Sequence, residues 1–530
     1  MVSVLLLRVG KVFVTVAKIS PATRNAVKDV NFYGLANGTA RGGVPAARIV
    51  VYKVWGPSLG HNVLAAFDDA IADGVNIISI SMGNDDPVAI GAFHAMKKGI
   101  LTSQSAGNMG LKVASVVSVA PWILTVAASS IDRRFTDKVV LANGKTLVVH
   151  AGTKNCTGED AGDCEEGCLD GDSVKGKIVL CDSLAGDRGA YKAGALGSVL
   201  MNEVGYNVSL VPLLASTALM REEYNVVRSY TNSTRDPQAN IFKSEVIKDP
   251  AAPTVAYFSS RGPIIILPDI IKPDISAPGV EILAAYSPVV SVTRLPQDKR
   301  HVKYNILSGT SMACPHAAGA AAYVKVFHPN WSPAAIKSSL MTTAWPMNGT
   351  SNNVSTGAFA YGSGHINPVN AINPGLVYEA SEEDYIKLLC TIYDEGKVRL
   401  ISGDNSTCPT GSAQGYVKDH NHPSMGAKVK PMKPFSVNFH RRVKNVGLAN
   451  STYKATIFSN SNADIKVVPE VLSFQSLDEE KDFEVTVAGS DLPDGAQVSG
   501  SLVWSDGAHR VRSPIVVYTY IQQEHQNMVT

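Results

Sequence analysis

Between about residues 46 and 130 the chain alternates, segment by segment, between strand-like and helix-like patterns, and few folds accommodate that alternation. "RIVVYKVW" is a short apolar run rich in β-branched residues and reads as a buried strand. "NVLAAFDDAIADG" sets Leu64, Phe67, Ala70 and Ile71 on one helical face and closes at Gly74. "VNIISISMG", "PVAIGAFHAMKKG" and "ILTSQSAGN" repeat the pattern as strand, helix and strand. The β-α-β-α-β order predicts an α/β fold with a parallel sheet and crossover helices.

The texture then changes. From about Phe135 to Ile247 the chain has short strands, glycosylation sequons and clustered cysteines, as in a separate β-rich unit. The α/β texture returns at Ala252, and from about Lys428 apolar and polar residues alternate ("STYKATIF", "DFEVTVAG", "GSLVWSDG"), which predicts a terminal β-sandwich. Val113 to Ile131 is uncharged over 19 residues, a spanning length, but Pro121 and its many β-branched residues predict buried strands with a turn at Ala120-Pro121. The opening "MVSVLLLRVGKVFVTVAKIS" is broken by Arg8 and Lys11, so no targeting segment is expected there. With 48 Lys+Arg against 46 Asp+Glu, the net charge of +2 gives no reason to expect nucleic acid or an anionic membrane as partner.

Cysteines and sequons point to an oxidising compartment. Cys156, Cys164, Cys168 and Cys181 cluster, and Cys390 and Cys408 form a second group. There is no CxxC pair and no histidine in the cluster, so disulfides are expected rather than a metal site, with Cys314 free and buried near Ser311. Sequons at Asn37, Asn155, Asn207, Asn232, Asn330, Asn348, Asn353, Asn405 and Asn450 favour a secreted glycoprotein.

Ser311, in "NILSGTSMACPHAAGAAAYVKVFHP", stands at the head of an alanine-rich helix. A helix start aims backbone N–H groups and a positive partial charge at such a serine, which suits a nucleophile whose carbonyl target becomes an oxyanion. Gly309 leaves room for a substrate backbone. A serine at this position is also an ordinary helix cap. Ala313 stands where a G-x-S-x-G elbow needs glycine, which excludes the α/β-hydrolase arrangement.

The wider string "SGTSMACPHAAGAAAYVKVFHPNWSPAAIKSSLMTTA" resembles the serine signature of subtilisin-like proteases, in particular the plant cucumisin-like branch. "SSRGP" (Ser259–Pro263), "KPDISAPGVEILAA", "AYGSGHINP" and "NPGLVYEA" occur in the order that family has, and the likeness runs from about Asn25 to Val517. The resemblance implies a subtilisin-like parallel-sheet catalytic domain, an inserted β-rich protease-associated domain and a C-terminal fibronectin type III-like β-sandwich, the last marked by "FHRRVKNVG". It divides the chain into an atypical N-terminal stretch (1–24), a first catalytic part (25–134), the insert (135–250), a second catalytic part (251–425) and the sandwich (426–530). It further implies that Ser311 is the nucleophile and that Asn108, which on its own reads as an ordinary turn residue, stabilises the oxyanion. Ser79, Ser81, Met82, Gly83, Ser105, Ala106 and Gly107 would bind substrate backbone, and Cys168 would pair with Cys181. No cofactor or metal is implied. The partners expected are polypeptide substrates, with further contacts through the insert, in the apoplast or cell wall.

The same likeness exposes a gap. Family order is Asp, His, Ser, with the first two in D-T/S-G and H-G-T-H motifs ahead of the segment that here begins at Asn25. Neither motif occurs. The first aspartate is Asp29, the first histidine is His61 in a loop, and "AKISPAT" lies where the family has H-T-A-S. His94, His316 and His365 sit at ordinary positions of the pattern and carry no orienting carboxylate. A serine without its base is a poor nucleophile, so the chain as written is expected to be inactive and N-terminally truncated. The alternative is a non-catalytic pseudoprotease that keeps the peptide groove. "GKVFVTVAKI" (Gly10–Ile19) has the alternation to fill the place of the absent Asp strand.

Overall fold

A computed structural model describes residues 3–8, 26–83, 85–149, 156–203, 206, 208–347, 356–409, 416–459 and 463–519. Its centre is a six-stranded sheet whose strands we number along the chain: β1 (Ser3–Arg8), β2 (Arg48–Lys53), β3 (Ile77–Ile80), β4 (Leu101–Ser105), β5 (Leu124–Ser129) and β6 (Ile275–Pro278). They lie in the order β6-β5-β4-β3-β1-β2. From β3 to β6 all pairings are parallel, as the alternation predicts. β1 departs from this, running antiparallel to both β2 and β3. The facing edges of β2 and β3 present two rows of backbone donors and acceptors, and a strand of either direction satisfies them. Ser3–Arg8 fills that place, whereas Gly10–Ile19 lies outside the described residues.

Both faces of the sheet are covered, so β3, β4 and β5 are buried along their whole length, polar residues such as Thr102, Ser103 and Gln104 included. Helices α1 (Leu59–Ala72) and α2 (Asp85–Lys97) pack on the side of Ile78 and Ile80. The buried side of α1 is Val63, Ala66, Phe67 and Ala70, with Leu64 and Ile71 only half-buried, a small rotation from the expected face. On the other side lies α3 (Thr310–Phe327), whose Ala313, Ala317, Ala318 and Ala321 meet Ile77, Leu124, Val126 and Ile275. Helix α4 (Pro333–Thr342) follows it. Val113–Ile131 contains a turn in which Ile123 N donates to Ala120 O at 3.1 Å, then β5. Among the described residues no helix is long and apolar enough to cross a membrane.

Between β5 and β6 the chain forms a second sheet, ordered Ala215–Met220, Gly197–Asn202, Ile178–Cys181, Val139–Val149 and Gln238–Ile241. It leaves and rejoins the core through the antiparallel pair Arg133–Thr136 and Glu245–Lys248. Glu281, 4% exposed, anchors the insert: its carboxylate accepts from Phe135 N (3.0 Å) and from Ser209 N (2.9 Å). The cysteine cluster pairs as Cys156–Cys168 and Cys164–Cys181. This corrects the expected Cys168–Cys181 bridge. Cys181 ends a strand and faces Cys164 at a Cα separation of 5.4 Å, which leaves Cys168 to Cys156 at 5.5 Å. Cys390 and Cys408 are bridged, and Cys314 is free and buried, as expected.

The C-terminal unit is a sandwich of a four- and a five-stranded sheet around Phe439, Tyr453, Phe483 and Trp504. It also takes in Leu376–Val377 and Met425–Lys428 from upstream. A buried ion cluster joins it to the core. Asp274, completely buried, accepts from Lys272 Nζ (2.6 Å), Lys337 Nζ (3.0 Å), His422 Nε2 (3.1 Å) and Thr125 N (2.7 Å). Burial alone would raise its carboxyl, but the two ammonium groups and His422 outweigh burial and hold it well below the usual carboxylate range. Burial pushes His422 down to about 3, so it is neutral, donating from Nε2 to Asp274 while Nδ1 accepts from Ser424 N at 3.3 Å. Arg441 of "FHRRVKNVG" donates to His422 O and Ser424 O, completing the junction.

Two outcomes are expected. Asp274→Asn should destabilise the chain by roughly 3–5 kcal/mol in urea unfolding at neutral pH, because it strands buried ammonium groups. Because the folded-state pKa of Asp274 is depressed, its contribution is present above about 4 and lost as pH falls below that, so the deficit of the variant should narrow in acid. A deficit that stays constant down to pH 2 would contradict this. Proteolysis under non-reducing conditions should release Cys156–Cys168 and Cys164–Cys181 peptides, and a Cys168–Cys181 peptide would refute the pairing.

Candidate active site

The site lies where β3 and β4 end against the start of α3. Gly309 precedes the helix with φ +155°, and a Cβ there would come within 3.7 Å of both Asn108 Nδ2 and Ser311 N. Only glycine leaves that space open. Thr310 opens the helix and Ser311 follows, half-buried. Among the described residues, none gives Ser311 Oγ a hydrogen bond.

Pro315 explains one tether of Ser311. Having no N–H, it cannot donate to the carbonyl four residues back, which is that of Ser311. Ser81 Oγ donates to that carbonyl instead, at 3.0 Å. Below, Cys314 packs among Ser79 Oγ (3.3 Å), Ile80 O (3.4 Å) and Ser103 O (3.3 Å). Burial pushes its thiol up, so it is a neutral packing group.

Asn108 follows β4 and is exposed. Its Oδ1 accepts from Thr310 N and from Thr310 Oγ1, both at 2.9 Å. With the oxygen so occupied, the Nδ2 donor is turned to the space in front of Gly309. Thr310 Oγ1 also accepts from Gly107 N at 3.3 Å. Sequence reasoning did not single out Thr310; its only signal was adjacency to Ser311.

The other residues named from the sequence divide in two. Ser81, Met82 and Gly83 follow β3, and Gly107 precedes Asn108, so two backbone segments flank the helix start. Met82 O accepts from Gln104 Nε2 at 3.1 Å. Ser79, Ser105 and Ala106 lie inside: Ser79 faces Cys314, while Ala106 donates to Val126 O and accepts from Val117 N.

Of the twelve histidines, His150 and His525 lie outside the described residues, and none of the others hydrogen-bonds Ser311. His94 bonds Ile401 O, His316 Nδ1 bonds Met312 O at 2.8 Å, and His365 Nδ1 bonds Ser129 Oγ at 2.9 Å. Burial lowers His316, and burial with the neighbouring His316 brings His365 to about 4, so both rings are neutral structural groups. His61 is exposed. The arrangement therefore sets Ser311 at the helix start beside the side chain of Asn108, and among the described residues no imidazole hydrogen-bonds the serine.

Residues 24–364 match the subtilase family model, and residues 419–517 match a fibronectin type-III domain model. The chain is 51% identical to Arabidopsis thaliana subtilisin-like protease SBT4.4 over 94% of its own length and 71% of the relative's. It is 51% identical to subtilisin-like protease SBT4.6 and 48% to SBT4.13 of the same plant, in each case over 94% of this chain and 72% of the other. The helix start, the Asn108–Thr310 contact and these likenesses converge: the chain belongs to the subtilase family, the subtilisin-like serine proteases, among its plant members.

Proposed function

We propose that this chain carries the nucleophile and oxyanion half of a serine endopeptidase centre and that, acting by itself, it binds peptides at the groove without turning them over. In the chemistry the site is built for, Ser311 Oγ bonds to the carbonyl carbon of a bound peptide and the carbonyl π pair moves to oxygen. Asn108 Nδ2 and the first amides of α3 then receive that oxyanion, and the serine proton goes to a base. The observation that carries the reading is Asn108, whose Oδ1 is tied to Thr310, the residue before Ser311, so that its Nδ2 donor is left to the space at Gly309.

No H-G-T-H or D-T/S-G motif occurs in these 530 residues, and among the described residues no histidine hydrogen-bonds Ser311 to act as its base. Loss of the base costs about a millionfold in turnover, a magnitude that comes from subtilisin itself. Polypeptides remain the ligand class, with backbone laid between Ser81–Gly83 and Gly107–Asn108. The three disulfides support a secreted, oxidising setting. Five sequon asparagines, Asn37, Asn232, Asn330, Asn405 and Asn450, are exposed, while Asn155, Asn207, Asn348 and Asn353 lie outside the described residues.

A second reading is a pseudoprotease whose product is the bound complex, favoured by the structural use of His94, His316 and His365. Sequencing the 5′ end of the native transcript separates the two. Asp and His motifs upstream of Asn25 support an active protease, and a message that starts at Met1 supports the binding protein.

For the 530-residue chain, no cleavage of fluorogenic peptides is expected, whereas a peptidyl boronic acid should bind through a tetrahedral adduct on Ser311. Ser311→Ala should abolish that adduct, and Asn108→Ala should weaken it by about tenfold or more, in line with the 10²–10³ that one oxyanion donor contributes in subtilisin. Equal boronate affinity in Ser311→Ala, measured by titration calorimetry, would sink the reading.

A further inference from the structure

"SSRGP" is unexplained by the chemistry above, yet it lies against the oxyanion turn. Ser260 N donates to Gly107 O at 2.9 Å, and Ser260 Oγ accepts from Met109 N at 3.1 Å. One completely buried residue thus holds the peptide units on both sides of Asn108. Gly110 N adds a bond to Phe258 O at 2.8 Å. Gly107 has φ +106°, and a Cβ there would stand 2.8 Å from Ser260 Oγ, so glycine is what allows the serine so close.

Ser260 is itself immobilised from both sides. Ser259 Oγ accepts from Ala128 N of β5 at 3.1 Å. Arg261 N donates to Ser115 Oγ at 3.0 Å, and Arg261 O accepts from Ser115 N at 2.9 Å. Asn108 therefore has two independent anchors: Thr310 orients its side chain, and Ser260 fixes the backbone that carries it. A donor aimed at a developing oxyanion acts only if it is held in place before the charge forms.

We propose that Ser260 is a positioning residue for the oxyanion site, acting through the backbone on either side of Asn108. The inference rests on Ser311 and Asn108 acting as set out under the proposed function. Its signature is selectivity: Ser260 matters for a tetrahedral adduct and little for a planar peptide.

The test uses the full 530-residue chain and two probes, a peptidyl boronic acid and the matching peptide amide, titrated into wild type, S260A, N108A and the double variant. S260A should lose about tenfold or more in boronate affinity, a part of the effect of one oxyanion donor, and less than about twofold for the amide. The double variant should bind boronate no more weakly than N108A, since both act through one donor. Three results each overturn the proposal: boronate affinity within twofold of wild type, equal losses for boronate and amide, or a further tenfold loss in the double variant. Amide hydrogen exchange supplies an independent reading of the clamp. In S260A, residues 106–110 should exchange about tenfold faster or more while residues 79–83 keep their wild-type rates. Unchanged exchange at 106–110 overturns the proposal. If boronate affinity survives Ser311→Ala, the functional reading of the site falls, and exchange alone then decides whether Ser260 holds the turn.

Discussion

Everything near the site depends on how closely α3 approaches the sheet. Ala313, Ala317, Ala318 and Ala321 present almost no side chain to β5 and β6, so the helix backbone sits directly over the strand ends. Gly279 shows how tight the contact is, since a Cβ there would lie 3.1 Å from that of Ala313 and 2.6 Å from that of Ala128. Interiors packed at this density transmit small shifts instead of absorbing them. The distance between Asn108, just past the end of β4, and Thr310, at the helix start, is therefore set by alanines spread over the first three turns of the helix. The helix start in turn arranges its own polar bonds: Pro315 frees the Ser311 carbonyl and Ser81 takes it.

Buried charge joins the remaining units to this core. Asp274 gathers two ammonium groups and a neutral imidazole, drawn from β6 and its approach, from α4 and from the segment ahead of the sandwich. Such a cluster adds little net stability over an apolar one, but a missing member leaves a charge without compensation. Its effect is directional, because only one placement of the His422 segment satisfies Asp274. Glu281 does the same for the insert, accepting from Phe135 in its neck and Ser209 in a loop. Its own N–H donates to Ser308 Oγ at 2.9 Å, three residues before Ser311.

The chemistry is correspondingly one-sided. Oxyanion stabilisation needs donors that are fixed in space, and the side chain of Asn108 and the backbone of Ser311 are each held, by Thr310 and by Ser81. Proton transfer needs a base, most often an imidazole, within hydrogen-bond reach of the serine. The histidines nearest in sequence bond to backbone or serine oxygens, and burial keeps His316 and His365 neutral.

Read alone, the sequence determined the order of strands and helices, the sandwich at the end, Ser311 at a helix start and Asn108 at the end of a strand. Those features follow from apolar periodicity, small-residue runs and breakers, all of which act within a few residues of one another. Tertiary structure alone decided which chemically identical partners met. Four clustered cysteines permit three pairing schemes, and the one that formed follows from where Cys181 ends its strand. The gap beside β3 could accept either hydrophobic segment near the N-terminus, in either direction, and antiparallel Ser3–Arg8 is the one that pairs. The face of α1 settled around Val63 rather than Leu64 because the sheet, not the helix, chooses which stripe is buried. Thr310, Ser260, Asp274 and Glu281 are ordinary residues in the string, and what each does depends on atoms that lie up to about two hundred positions away along the chain. Local pattern constrains backbone conformation, but a hydrogen bond between distant segments exists only once packing has set their distance.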